Sequence, residues 1–287
     1  MSNLSPKQLI KAGCRNIMYL GNTMLWLIRN LKVENFKNYI LNNNPEKALL
    51  ILANGPSLKN VINDIIPIKD NYDIRVVNDF CRYPAFFTLK PSSYVFADPL
   101  FFNDTPRAQE VLSLLAKVDW KMKMYVPYIY RKNISKKINN TNIDIIPYHI
   151  MPYNGWKSLR TYLFKKGLTM PRPQNVAIPS LFIGINEGYK TIELYGVDHS
   201  WTMEIRVNDK NQVCLTDSHF YDESKVALKP FLKYDGSEYL MSDLLRDFAW
   251  MFDGYYILRE YADSVGCHII NKTPNSFIDA FERAPID

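Results

Sequence analysis

Lys47-Ala-Leu-Leu-Ile-Leu-Ala-Asn-Gly-Pro-Ser-Leu58 is the stretch on which the fold turns. Its apolar residues, Ala48 to Ala53, run without a polar break for the length of a strand. A strand with one face in water alternates, so an unbroken run marks a parallel strand covered on both faces. The run ends in Asn54-Gly55-Pro56-Ser57, a turn leading into a helix. Gly55 there permits close backbone approach to a ligand, and Pro56 opens a helix whose free amides attract phosphate. Working outward, β-like runs recur at Asp73 to Val77, Ser93 to Phe96, Met124 to Val126, Asp144 to Ile146, Thr191 to Tyr195 and Cys267 to Ile270. Helical stretches lie between several of them, at Pro106 to Ala116, Ile178 to Glu187 and Asp243 to Ser264. Strands alternating with helices predict an α/β protein built on a doubly wound, mostly parallel, Rossmann-like sheet.

The chain divides into an N-terminal amphipathic helical segment, residues 1–46, and a main domain, residues 47–287. Within the latter, residues 201–236 are polar, lack periodicity and are too long for an ordinary connection, so they are expected to form a lid or acceptor loop. Hydrophobic residues make up 47% and charged residues 22% of the 287, which excludes disordered and low-complexity classes. An excess of 35 basic over 29 acidic residues favours anionic partners, namely nucleotide phosphates, acidic glycans or anionic membrane surfaces. No Lys/Arg run, zinc-finger spacing or aromatic RNA-binding signature points to nucleic acid. Cys14, Cys81, Cys214 and Cys267 are scattered without a CxxC pair, as expected in a reducing, cytoplasmic compartment. Between residues 5 and 31, Lys7, Lys11, Arg15, Asn22 and Arg29 gather on one helical face while Ile10, Ile17, Leu20, Met24, Leu27, Ile28 and Leu31 gather on another. The segment is too short and polar to span a bilayer. Two readings stay open for it: a helix packed on the main domain, or a peripheral anchor on the inner face of the cytoplasmic membrane.

In open α/β sheets ligands bind beyond the carboxyl ends of the strands, so the informative residues should follow the strands. Asn54 and Gly55 follow the first, Asn78 and Asp79 the second, Asp98 the third, and Asp198 and His199 the strand Ile192 to Val197. Four strand ends carrying Asn, Asp or His make a candidate site.

These stretches resemble a known family. Leu-Ile-Leu-Ala-Asn-Gly-Pro-Ser-Leu at 50–58, Val-Val-Asn-Asp-Phe at 76–80, Val-Phe-Ala-Asp-Pro-Leu-Phe-Phe at 95–102, Gly-Tyr-Lys-Thr-Ile-Glu-Leu-Tyr-Gly-Val-Asp at 188–198, Asp-Ser-His-Phe-Tyr at 217–221 and Thr-Pro-Asn-Ser-Phe at 273–277 occur in the order and rough spacing of the bacterial sialyltransferases of glycosyltransferase family 42. The resemblance covers about residues 47 to 285 and implies an inverting, metal-independent transfer of sialic acid or a related sugar. The donor would be a nucleotide sugar, CMP-linked as in the family, and the acceptor a capsular, lipooligosaccharide or other lipid-linked oligosaccharide at the cell surface. It implies that Asn54, Gly55, Pro56, Ser57, Asn78, Asp98 and Asp198 approach the donor and that His219 is the catalytic base. An acceptor hydroxyl must lose its proton as it attacks, and an imidazole suits that role. The chain also departs from the pattern: Asp98 replaces an Asn, Ser200 and Trp201 stand where paired tyrosines support the leaving phosphate, and Pro173 and Val176 replace an Arg and a Ser. Ser180, at a helix start, and Tyr221 are the expected substitutes for phosphate support. No Asp-x-Asp is present, so the usual carboxylate pair for Mg²⁺ or Mn²⁺ is missing and no metal cofactor is expected. Two alternatives remain: a Mg²⁺-dependent pyrophosphokinase-like enzyme sharing the Gly-Pro-Ser-Leu turn, and a catalytically inactive nucleotide-binding relative. A homo-oligomer is left open.

Overall fold

The structure, a computed structural model, describes residues 5–215, 229–233 and 235–284. Its strands are β1 (Leu49–Leu52), β2 (Asp73–Val77), β3 (Ser93–Val95), β4 (Met122–Pro127), β5 (Ile143–Tyr148), β6 (Thr191–Tyr195), β7 (Arg206–Val207), β8 (Val213–Leu215), β9 (Lys229–Pro230), β10 (His268–Asn271) and β11 (Glu282–Arg283). Its helices are α1 (Pro6–Asn30), α2 (Ile62–Ile68), α3 (Ala85–Leu89), α4 (Pro106–Leu115), α5 (Arg131–Lys137), α6 (Lys157–Lys165), α7 (Ala177–Glu187) and α8 (Met241–Val265). Eight strands form one sheet in the order β11-β10-β6-β1-β2-β3-β4-β5. Every pairing in it is parallel. The predicted α/β, Rossmann-like class is thus the observed one.

β1 is fully buried because alternate residues feed two cores. Leu49 and Ile51 join the cluster containing α7 and α8 residues, while Leu50 and Leu52 join the cluster containing α2 and α4 residues. At about 1.5–3 kcal/mol for each Leu or Ile removed from water, such a strand anchors the sheet. All eleven residues of α7 are buried, so this helix is apolar nearly all round and lies against β1. The approach is close: a Cβ on Gly184 would sit 2.8 Å from Leu49 Cδ2.

One charged cluster lies inside the apolar layers. Arg75, fully buried on β2, forms an ion pair with Glu187 at the end of α7. It also donates from Nε to Ser93 Oγ at 3.0 Å and from Nη1 to the Ser180 carbonyl at 2.9 Å. Tyr125 donates to the other Glu187 oxygen at 2.5 Å. Burial of a charge is tolerated only with such pairing.

The N-terminal segment has two parts. The helix stops at Asn30, and residues 31–46 form an irregular strap on the domain, with Ile40 in the core. Buried Glu34 meets His149 Nδ1 at 3.0 Å, and His149 Nε2 lies 3.0 Å from the Lys37 carbonyl. Touching the strap through both ring nitrogens, this side chain, just past the carboxyl end of β5, clamps the strap to the sheet. Further along, Asn43 N donates to the Glu187 carbonyl at 3.0 Å, so the strap crosses to the opposite rim before entering β1.

In the polar stretch 201–236, β7, β8 and β9 form a small antiparallel sheet. His219 and Tyr221 lie outside the described residues.

Candidate functional site

The strand order reverses at β1: the chain moves from β1 through β2 to β5 on one side, then returns to place β6 on the other. The carboxyl ends of β1 and β6 therefore diverge into a crevice, as parallel sheets do at such a point. A cleft of about 780 Å³ opens there. It falls within the range of about 300–1,000 Å³ common for small-molecule sites. Residues 53–56, 77–79, 97–100 and 196–201, at the carboxyl ends of four strands, form its walls together with residues 173–177 at the start of α7.

Asn54, Gly55, Pro56, Asn78, Asp98 and Asp198 all line this cleft. Asn54 donates its amide to the Val77 carbonyl at 3.2 Å. Its Oδ1 is buried and has no hydrogen-bond partner among the described residues. A buried acceptor left unmet costs about 1–3 kcal/mol, so this atom is suited to a donor on a ligand. Asn78 adopts φ 45°, in the left-handed region where Asn is enriched. Its Oδ1 accepts from Ala97 N at 3.3 Å and its carbonyl accepts from Tyr94 OH at 2.5 Å, which fixes the ends of β2 and β3 relative to each other. Asp98 caps the following turn, accepting from Leu100 N at 2.9 Å.

Three expectations change in the structure. Gly55 is glycine because of the protein itself: a Cβ there would sit 1.9 Å from Asp198 Oδ2 and 2.4 Å from the Gly196 carbonyl. The turn after β1 is also not an open set of amides. Gly55 N donates to Gly196 O at 2.8 Å, while Ser57 gives its N and Oγ to the two Asp198 carboxylate oxygens at 3.1 and 2.9 Å. Asp198 thus staples the ends of β1 and β6 together. Burial pushes its carboxyl above the usual range, opposed by the two Ser57 bonds. Ser180 does not reach the cleft. It is fully buried one turn into α7, where its Oγ is spent on the Val176 carbonyl at 2.8 Å and its own carbonyl serves Arg75.

The cleft also holds Arg107, which sequence reasoning passed over, and His199, which it placed at a strand end without giving it a role. Arg107, from the first turn of α4, lines it and is 40% exposed along its side chain. It is oriented by Asp79, a buried carboxylate that receives its Nε at 2.9 Å and also pairs with Nη2. The guanidinium lies 5.4 Å from the Phe101 ring centre. Its only sequence signal was a lone cation near a helix start, which is common on surfaces. His199 also lines the cleft, at φ 54°. Its Nε2 meets Tyr255 OH at 2.5 Å and Asn175 Nδ2 at 3.3 Å, and its ring stacks on Trp201 with centres 4.7 Å apart. Burial pushes this imidazole down to about 3, so the ring is neutral, with Nε2 set between the Tyr255 hydroxyl and the Asn175 amide. Asn175 also turns its Oδ1 to Ala177 N and Ile178 N, at 2.9 and 3.1 Å, capping α7. Among the described residues no group of three His, Cys, Asp or Glu side chains could hold a metal ion.

Fold and site together define an α/β protein with a small-molecule cleft at the switch point of a parallel sheet. No protein-family model matches the chain, and no curated protein matches it. Two solved structures of a mammalian sialyltransferase, one in complex with Gal-beta-1-3GalNAc-ortho-nitrophenol, are similar at 13% and 12% sequence identity. The likeness covers 89% of this chain in both cases and 86% and 85% of those chains, with TM-scores of 0.36 and 0.35. A likeness that distant assigns no activity, and the α/β class rests on the parallel sheet itself.

Proposed function

We propose that this protein is a nucleotide-sugar-dependent glycosyltransferase that passes sialic acid or a related sugar from a CMP-linked donor to a lipid-linked or cell-surface oligosaccharide. One observation carries the reading: Asn54, Asn78, Asp98 and Asp198, spread over much of the chain, line a single cleft at the switch point. The motifs around them resemble, in order, those of the family 42 enzymes. Asn54 and Asn78 would bind the nucleotide. Ser57 and Asp198 act indirectly, by holding the turn that carries Asn54 against β6. Arg107 takes over the phosphate support that Ser200 and Trp201 do not supply, since a fixed cation answers the charge that develops on a leaving phosphate. His219 serves as the base that deprotonates the acceptor hydroxyl.

Calorimetric titration with CMP, UDP and GDP tests this reading. CMP is expected to bind, and Asn54→Ala and Asn78→Ala each to weaken it about five- to tenfold, the loss of one net hydrogen bond. Binding of none of the three nucleotides, or equal binding of CMP by both variants, overturns the assignment of the cleft.

A further inference from the structure

The sequence leaves open whether residues 5–31 pack on the domain or bind a membrane; the structure divides the helix into three faces and has room for both. α1 buries or half-buries Asn16, Tyr19, Leu20, Thr23, Trp26 and Leu27, which recur at helical spacing on one side. Trp26 makes an edge contact with Phe36 of the strap, ring centres 5.4 Å apart. This face is the packed one. Beside it runs a second apolar stripe that no described residue covers: Ile10, Ile17, Met18, Met24, Leu25 and Ile28 are each more than half exposed, Ile17 at 64% and Ile28 at 66%. Leu31 and Val33 continue it beyond the helix. The third face holds Lys7, Lys11, Arg15 and Arg29, all exposed and flanking the stripe. No Asp or Glu occurs anywhere in α1.

We infer that this stripe and its cationic border form a docking surface for an anionic lipid bilayer, with α1 lying in the plane of the headgroups. An uncovered apolar stripe of this length gains by leaving water, and a bilayer accepts it to a depth of about 5–10 Å. The border selects the lipid. Four cations on a helix that contains no acidic residue are complementary to anionic headgroups, whereas packing the same stripe on a second copy would bring like charges together. The helix lies in the surface and does not cross it, since no described helix is long and apolar enough to span a membrane. The clamp between Glu34 and His149 sets the root of this helix at the carboxyl end of β5, on the same rim of the sheet as the cleft. The surface that binds the helix therefore lies on the side from which the cleft is entered.

The test is vesicle flotation of the full chain with phosphatidylcholine vesicles and with the same vesicles containing about one third phosphatidylglycerol. Binding is expected to the anionic vesicles, to fall with added salt, and to be much weaker on neutral ones. Lys11→Gln with Arg15→Gln should weaken it about twenty-five-fold, a factor of about five per cation. Ile17→Glu with Ile28→Glu should abolish it while leaving the thermal midpoint and CMP binding unchanged, because both side chains project into solvent. Undiminished anionic-vesicle binding by either double variant, or equal binding of the wild type to both vesicle types, overturns the inference. Sedimentation velocity provides the other arm: a dimer that Ile17→Glu/Ile28→Glu dissociates would show that a second copy covers the stripe and also overturns it.

Discussion

Acid should destabilise this protein through His199 by an amount that can be worked out in advance. In the folded state burial holds its imidazole at about 3, and in the unfolded chain the value is about 6.5. A histidine depressed by folding contributes stability that is present above the unfolded value and is lost as pH falls toward the folded one. Between about pH 7.5 and about pH 5 the unfolded state takes up nearly one proton that the folded state refuses, which costs about 2 kcal/mol. With a urea slope of about 3 kcal/mol per M, the unfolding midpoint should fall by roughly 0.7 M from this residue alone. Other groups titrate too, so the assay is a comparison of urea midpoints for the wild type and His199→Asn across that range. Asn is the right replacement because position 199 has φ 54°, which Asn tolerates. The variant should be less stable at neutral pH, having lost the Tyr255 contact, yet flatter with pH by about one proton. Parallel midpoint curves for the two proteins would refute the buried, neutral assignment of His199.

Four further outcomes are expected. Arg107→Gln should weaken CMP binding about ten- to hundredfold, read by calorimetry, as a charged hydrogen bond to a phosphate is worth about 1.5–3 kcal/mol. Gly55→Ala should cost about 1–3 kcal/mol or more in thermal unfolding, and adding Asp198→Ala should not restore it, because the Gly196 carbonyl would still lie 2.4 Å from the new Cβ. Arg75→Met should cost about 3–5 kcal/mol by leaving buried Glu187 with only the longer ion pair to Lys123 Nζ at 3.5 Å, and Glu187→Gln in the same chain should recover most of that, as seen by denaturant titration. His219→Ala should lower kcat about a hundredfold or more with donor affinity nearly unchanged, and an equal loss of affinity would remove it as the base.

The sheet was legible because its strands are buried on both faces, and that burial writes unbroken apolar runs into the chain. β2 and β6 begin and end where the runs at 73–77 and 191–195 do. α5 and α6 were harder to see, being short and heavily basic, with their inward faces reduced to residues such as Ile134 and Phe164. The rim positions of the site residues followed from the strand ends, but their partners did not. Ser57 and Asp198 are 141 positions apart, and no local pattern shows that one is spent on the other. Arg75 reads as an interruption in an apolar strand until Glu187, 112 residues later, is brought beneath it. Ser180 stood near a helix start, where a phosphate ligand is plausible, but position along a helix does not reveal which side faces the core. His199 did carry a signal, a histidine directly after a strand-end aspartate.

The way α1 leaves the domain has a mechanical side. Glu34 N bonds back to the Asn30 carbonyl at 2.8 Å, so a single turn of chain joins the end of the helix to the buried clamp at His149. A leash of three residues reaches at most about 10 Å, and this one is already coiled. A lipid surface that captured the helix would hold the whole sheet at a set tilt and height instead of letting it swing. Lengthening that turn with a few glycines would free the tilt while leaving both the helix and the cleft chemically intact.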